Sequence, residues 1–293
     1  MQVFEGIWLP LITPFRDGEV DLAAAQRLVR HYIDAGIHGF VVCGTTGEPA
    51  TMDEAEQLAL LDAVLDAAEE RRPVVMGLGS NDTRAALQAI DAIQRRPIAG
   101  LLTATPYYTR PSQQGIAAHF RAIASATPLP LILYNVPYRT GVTLDPATAQ
   151  ALAEVPNIVA IKESGGDMNR LMDLIRDTRL QVLSGEDHLS FTTLCLGGSG
   201  AIAAAAHLYP EWHVRMYELF RQGELVRARA IAAGLLPLTR ALFSEPNPAP
   251  IKALLAQQGW IAEELRLPMT AVSAECRAQL IGALAQAGAI MST

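Results

Sequence analysis

The chain has 293 residues, half of them hydrophobic and 18% charged, with a formal net charge of -7 at pH 7. That length suits one large α/β domain with or without a small appendage, and the acidic balance argues against a nucleic-acid surface, which needs concentrated positive charge. No run approaches the roughly 18 apolar residues of a membrane span and no basic leader precedes an apolar stretch at the N-terminus, so a cytoplasmic protein without a membrane partner is expected.

Short apolar, β-branched runs alternate with longer amphipathic segments, the pattern of repeated βα units over a parallel sheet. Strands are expected at residues 6–13, 39–43, 74–77, 100–103, 129–134, 158–162, 181–184 and 201–204. Helical patterns follow at 22–35, 53–68, 83–93, 114–125, 145–153, 168–177, 188–196 and 209–220. Eight such units fit a (β/α)8 TIM barrel, whose usual span is about 250 residues; a doubly wound open sheet is the alternative. No strand signal follows the eighth unit, and 225–241, 251–257 and 274–287 read as helices. The expected division is a catalytic barrel over residues 1–224 and a C-terminal helical extension over 225–293, with the proline-rich connector 245–250 unable to continue a helix.

Only two lysines, Lys162 and Lys252, stand against twenty-one arginines. Guanidinium stays protonated, whereas an unprotonated amine attacks a carbonyl to form an imine. Lys162 ends the apolar run 157–161 and is the candidate nucleophile; the plainer account is a biased composition with Lys162 snorkelling from a strand end. Barrel enzymes carry their reactive groups at the carboxyl ends of the strands, where this sequence places Gly44-Thr45-Thr46-Gly47-Glu48, Tyr107-Tyr108, Tyr134-Asn135, Lys162-Glu163-Ser164 and Ser184-Gly185-Glu186-Asp187. The glycine turn can aim amides and two hydroxyls at a small carboxylate or simply cap the next helix. Tyr134 is either a proton carrier or a core tyrosine with a satisfied hydroxyl. Arg139 is either a clamp for a carboxylate or a solvated charge. Gly185 either leaves room for a ligand or serves a turn.

Other chemistries fit poorly. Gly198-Ser199-Gly200-Ala201-Ile202-Ala203 imitates a dinucleotide fingerprint, but its glycines precede a strand signal instead of following one. No GxSxG elbow occurs. Three cysteines, Cys43, Cys195 and Cys276, and six histidines show no metal-ligand spacing, so neither a disulfide framework nor a metal site is expected.

With residues 44–48, Tyr134-Asn135-Val136-Pro137 and Ile161-Lys162-Glu163 in this order, and with 105–113, 184–187, 245–252 and 265–268 beside them, the chain resembles the pyruvate-dependent class I aldolases essentially end to end. These form the dihydrodipicolinate synthase and N-acetylneuraminate lyase family. The resemblance implies a barrel with C-terminal helices, assembled as a homotetramer of paired dimers. It implies that Lys162 forms a covalent imine with pyruvate, without a separate cofactor, and that Tyr134 shuttles protons. Thr45 and Thr46 would hold the pyruvate carboxylate, and Thr45 would link Tyr134 to Tyr108 of a neighbouring subunit. Gly185 and Ile202 match positions that shape the pocket floor.

Within the family, Tyr107-Tyr108, Arg110-Pro111-Ser112 and Arg139-Thr140-Gly141 look like the synthases that condense pyruvate with L-aspartate 4-semialdehyde to 4-hydroxy-tetrahydrodipicolinate, toward diaminopimelate and lysine. Arg139 would hold the aldehyde's carboxylate. Pro10 and His207 depart from the synthase pattern and point to the alternative, a related aldolase or lyase acting on another aldehyde or a 2-keto-3-deoxy sugar acid. A non-catalytic carboxylate sensor is a third reading. The lysine-feedback pocket of bacterial synthases looks incomplete: Asn81 and Tyr107 match, but Pro49, Glu54, Gln57 and Ala85 replace polar contacts, so inhibition by lysine is expected to be weak or absent.

Overall fold

Aliphatic and β-branched runs make the barrel staves because a parallel strand is buried on both faces and needs no polar alternation. Gly6–Pro10 (β1), Gly39–Val42 (β2), Val74–Gly77 (β3), Gly100–Ala104 (β4), Leu131–Asn135 (β5), Ile158–Glu163 (β6), Gln181–Ser184 (β7) and Gly200–Ile202 (β8) form a closed parallel barrel in the computed structural model, which describes residues 4–291. Every residue of β1, β5 and β6 is buried. A (β/α)8 barrel with C-terminal helices is thus the fold, and the open sheet is excluded by closure. Among the described residues, no helix is long and apolar enough to cross a membrane.

Side-chain caps in the sequence define where the outer helices begin. Asp21 accepts from the Ala24 amide ahead of Leu22–Asp34, Ser112 from Gly115 ahead of Gln113–Ala126, and Asp167 from Asn169 ahead of Met168–Asp177. Asp53 and Glu56 form a reciprocal capping box at Glu54–Ala68, which satisfies two amides that the first helical turn leaves without partners.

The chain divides into two compact units. One comprises residues 4–5 and Pro73–Ile202 and holds β3 to β8. In its sheet Tyr134 lies opposite Lys162 and Asn135 opposite Glu163, while Lys162 and Glu163 face Leu183 and Ser184 on the other side. The other unit comprises Gly6–Arg72 and the segment from Ala203 onward. There Trp8 pairs with Gly39, and a Cβ on Gly39 would come within 2.4 Å of the indole, so glycine makes room for the ring. The C-terminal helices Leu225–Leu242, Ala249–Gln257 and Ala274–Met291 belong to this unit.

The differences from the sequence expectation are local. The first stave stops at Pro10 instead of residue 13, and a hairpin follows, Phe15–Arg16 with Glu19–Val20. Asp17 and Gly18 turn it at φ 55° and 85°; an Asp-Gly pair between short extended runs is the signal for such a turn. The fifth stave starts at Leu131, after Pro130, rather than at 129. The expected helix 188–196 divides into a one-turn segment, Asp187–Leu189, and Ser190–Cys195.

Candidate active site

Lys162 and Tyr134 are in register on adjacent staves, so the pleat presents them on the same face. Each is 6% exposed. The Lys162 amine sits over the Tyr134 ring, 4.5 Å from its centre, and has no ion-pair partner among the described residues. A buried amine against an aromatic face, in no ion pair among the described residues, is available to a carbonyl carbon.

The next pair up the staves acts as a brace. Asn135 donates through Nδ2 to both oxygens of the Glu163 carboxylate, at 2.8 and 3.0 Å, and the Gly165 amide donates to it at 2.7 Å. Asn135 Oδ1 in turn accepts from Leu144 at 2.9 Å. Burial pushes the Glu163 carboxyl upward, against the Asn135 and Gly165 hydrogen bonds. Side chains on opposite faces of a strand cannot share partners, so this network fixes the backbone around Lys162 without engaging its amine.

Gly185 follows β7 and donates to the Glu163 carbonyl at 2.7 Å. A Cβ there would lie 2.8 Å from Lys162 Cε and 1.9 Å from Ser164 Oγ. Only glycine fits beside the lysine. Ile202, 1% exposed, closes β8.

After β5, the turn Pro137–Thr140 carries Arg139. Thr105 donates to the Thr140 hydroxyl at 3.2 Å, and the Tyr108 amide donates to the Thr140 carbonyl at 3.3 Å, which ties this turn to the loop after β4. Arg139 is exposed, its guanidinium 5.5 Å from the centre of the Tyr138 ring. Tyr108 is 87% exposed and sits at φ 69°, with Arg110 at φ 47° close by. Such backbone costs on the order of 1–3 kcal/mol per residue and clusters at functional sites. Within its own chain Tyr108 therefore points away from a buried position.

In the second unit, Thr45–Gly47 forms a single 3-10 turn directly after β2. Cys43 and Glu48 bracket it at φ 54° and 53°. Three residues from elsewhere in the unit hold this turn. Thr13 donates to the Gly47 carbonyl at 2.6 Å, Asn247 donates through Nδ2 to the Thr46 hydroxyl at 2.9 Å, and Lys252 forms an ion pair with Glu48. With its acceptor lone pair engaged by Asn247, the Thr46 hydroxyl keeps its own proton for donation. Burial pushes the Glu48 carboxyl up and the Lys252 amine down, each opposed by the charge of the other. Lys252 also donates to the Glu264 carbonyl at 2.9 Å and lies 4.3 Å from the centre of the Phe15 ring.

Sequence reasoning placed Asn135 and Glu163 at the strand ends without a role, and gave none to Asn247 or Lys252. The proline-rich stretch around Asn247 was the one available signal, since it had to leave helical geometry just there.

His207 is 2% exposed. Its Nε2 accepts from the Ile12 amide at 3.1 Å and its Nδ1 donates to the Ala204 carbonyl at 2.8 Å. Both ring nitrogens being spent on backbone, His207 is a clamp within the fold and says nothing about an aldehyde. The cysteines are free, with Cys43 and Cys276 buried and Cys195 exposed; burial pushes the Cys43 thiol up to about 12.

Comparison with known proteins places this arrangement. The model of the dihydrodipicolinate synthetase family matches residues 3–287. The chain is 40% identical to the 4-hydroxy-tetrahydrodipicolinate synthase of Thermodesulfovibrio yellowstonii, over 98% of this chain and all of that one. It is also 40% identical to 4-hydroxy-tetrahydrodipicolinate synthase 2 of Clostridium acetobutylicum, over 94% of this chain and 98% of the relative. The solved synthase of Methylacidiphilum fumariolicum superposes with a TM-score of 0.97 at 35% identity, covering 99% of this chain and 98% of its own. A solved dihydrodipicolinate synthase described as a monomeric variant gives 0.95 at 36%, covering 97% of each chain. Barrel, lysine-bearing stave and end-to-end sequence likeness agree, and the chain belongs to the dihydrodipicolinate synthetase family.

Proposed function

We propose that this chain is a 4-hydroxy-tetrahydrodipicolinate synthase, a cytoplasmic class I lyase of lysine and diaminopimelate biosynthesis that joins pyruvate to L-aspartate 4-semialdehyde. The observation that carries the reading is Lys162, buried against Tyr134 and in no ion pair among the described residues. Its amine adds to the C2 carbonyl of pyruvate, water leaves, and an imine forms. The imine draws electrons from the adjacent methyl group, so loss of a proton gives an enamine whose carbon adds to the aldehyde. The imine itself is the electron sink, and the reading needs no metal or added cofactor.

Tyr134 carries protons in these steps. Thr45 and Thr46 take the pyruvate carboxylate, a role supported by the anchored turn and by the free proton of Thr46. Gly185 and Ile202 shape the floor, and Arg139, exposed beyond β5, receives the aldehyde's carboxylate. Tyr108 serves a neighbouring copy in a homotetramer of paired dimers, which its exposure supports.

Borohydride reduction in the presence of pyruvate tests the reading. A mass increase confined to the Lys162 peptide, absent in Lys162→Arg, is expected. An unmodified Lys162 would refute imine chemistry. Turnover of a sugar-acid aldehyde with aspartate semialdehyde left unconsumed would move the protein to the other branch.

A further inference from the structure

Ser164 stands two residues beyond Lys162. The hydrogen-bond ladder runs past the end of β6, because the Ser164 amide donates to the Asn135 carbonyl at 2.8 Å and the Gly185 amide to the Glu163 carbonyl at 2.7 Å. Ser164 thus keeps strand geometry, and its side chain shares the Lys162 face, one step nearer the carboxyl end. The position a Gly185 Cβ would take confirms it, lying 1.9 Å from Ser164 Oγ and 2.8 Å from Lys162 Cε.

The residue is 1% exposed, and its hydroxyl has no hydrogen-bond partner among the described residues. A buried hydroxyl without a partner is worse for the folded state than a methyl group in the same place. Glu163 does not relieve it, since that carboxylate is occupied by Asn135 and Gly165. What lies beside this hydroxyl is the stem of the amine that attacks pyruvate.

We propose that Ser164 is a catalytic residue that hydrogen-bonds the oxygen leaving C2 of pyruvate as the imine forms. This rests on the imine reading given above. The Lys162 nitrogen lone pair forms the bond to C2 while the carbonyl π pair moves to oxygen, which receives a proton originating on that nitrogen. In the second stage the nitrogen lone pair closes the C=N bond, the C–O bond breaks, and the oxygen departs as water with the second nitrogen proton. Ser164 gains and loses nothing. Its O–H donates to the oxygen while negative charge develops there, and its lone pair receives the hydroxyl of the carbinolamine.

The test is a rapid-quench time course of imine formation with pyruvate alone, trapped by borohydride and read as mass on the Lys162 peptide. Ser164→Ala is expected to slow trapping about tenfold, the worth of one hydrogen bond to a developing charge, while the melting temperature stays level or rises because no protein hydrogen bond is lost. Trapping at the wild-type rate overturns the proposal. So does a variant that traps normally but shows a raised KM for the aldehyde, which would place the hydroxyl on the second substrate. Ser164→Gly, which removes the hydroxyl without leaving a methyl against Gly185, serves the same measurement should the alanine chain fold poorly. If the wild-type protein itself does not trap, the imine reading fails, and this proposal with it; normal wild-type trapping separates the two.

Discussion

The Asn247 side chain donates to the hydroxyl of Thr46 at 2.9 Å across 201 positions of sequence. The donor comes from the connector between two C-terminal helices, and the acceptor from the turn after β2. The C-terminal extension therefore holds the turn after β2 by this hydrogen bond as well as by the Lys252–Glu48 ion pair. Removing it in Asn247→Ala frees the Thr46 hydroxyl to rotate, and a neutral hydrogen bond contributes about 1 kcal/mol. The KM for pyruvate should rise about fivefold while borohydride still labels Lys162. An unchanged KM would show that Thr46 does not depend on Asn247.

Glu48 and Lys252 form an ion pair whose side chains are 2% and 0% exposed. Removing one partner leaves a charge buried alone, which costs about 3–5 kcal/mol. Urea unfolding of Glu48→Gln and of Lys252→Met should each show a loss of that size. The double replacement should lose less than the two losses added together, because neither charge is then stranded. Additive losses would mean that the two residues act independently.

His207 and His213 are both buried, and burial brings each from an ordinary 6.5 down to about 4. The unfolded chain takes up protons first as pH falls through 6.5, so stability is complete above that value. It declines across the window and the loss is full only below about 4. Each histidine contributes up to about 3 kcal/mol. Unfolding midpoints across this window should fall steadily, and His207→Asn, which cannot titrate, should remove one share of the slope. A flat profile would contradict the assignment.

Inhibition by lysine should be weak or absent. Gln57 already spends its amide on the Pro49 and Met52 carbonyls, at 3.0 and 3.2 Å, and Pro49 offers no side-chain donor. Titration calorimetry with L-lysine should show weak binding or none, and tight binding would refute the expectation.

Much of the fold was legible because strand and helix periodicities are local. Residues 74–77 and 181–184 fall on the observed staves, and 83–93 and 168–177 on the observed helices. Errors came where proline or an overlooked turn decided the boundary, as at Leu131 and at the Asp17-Gly18 hairpin. Within the candidate site, Lys162 and Tyr134 were legible as polar residues ending apolar staves, and their register then brought them together. Arginine bias made both lysines conspicuous, and a place at the end of an apolar run singled out Lys162.

By itself the sequence determined the alternation of buried staves and capped helices, and a lysine at a strand end, since each depends on neighbours a few residues away. Tertiary structure alone decided what each lysine meets. Lys252 meets a carboxylate 204 positions earlier and becomes part of the frame, whereas Lys162 meets an aromatic face and is in no ion pair among the described residues. Those contacts depend on which side chains the tertiary fold brings together, and no local periodicity encodes them.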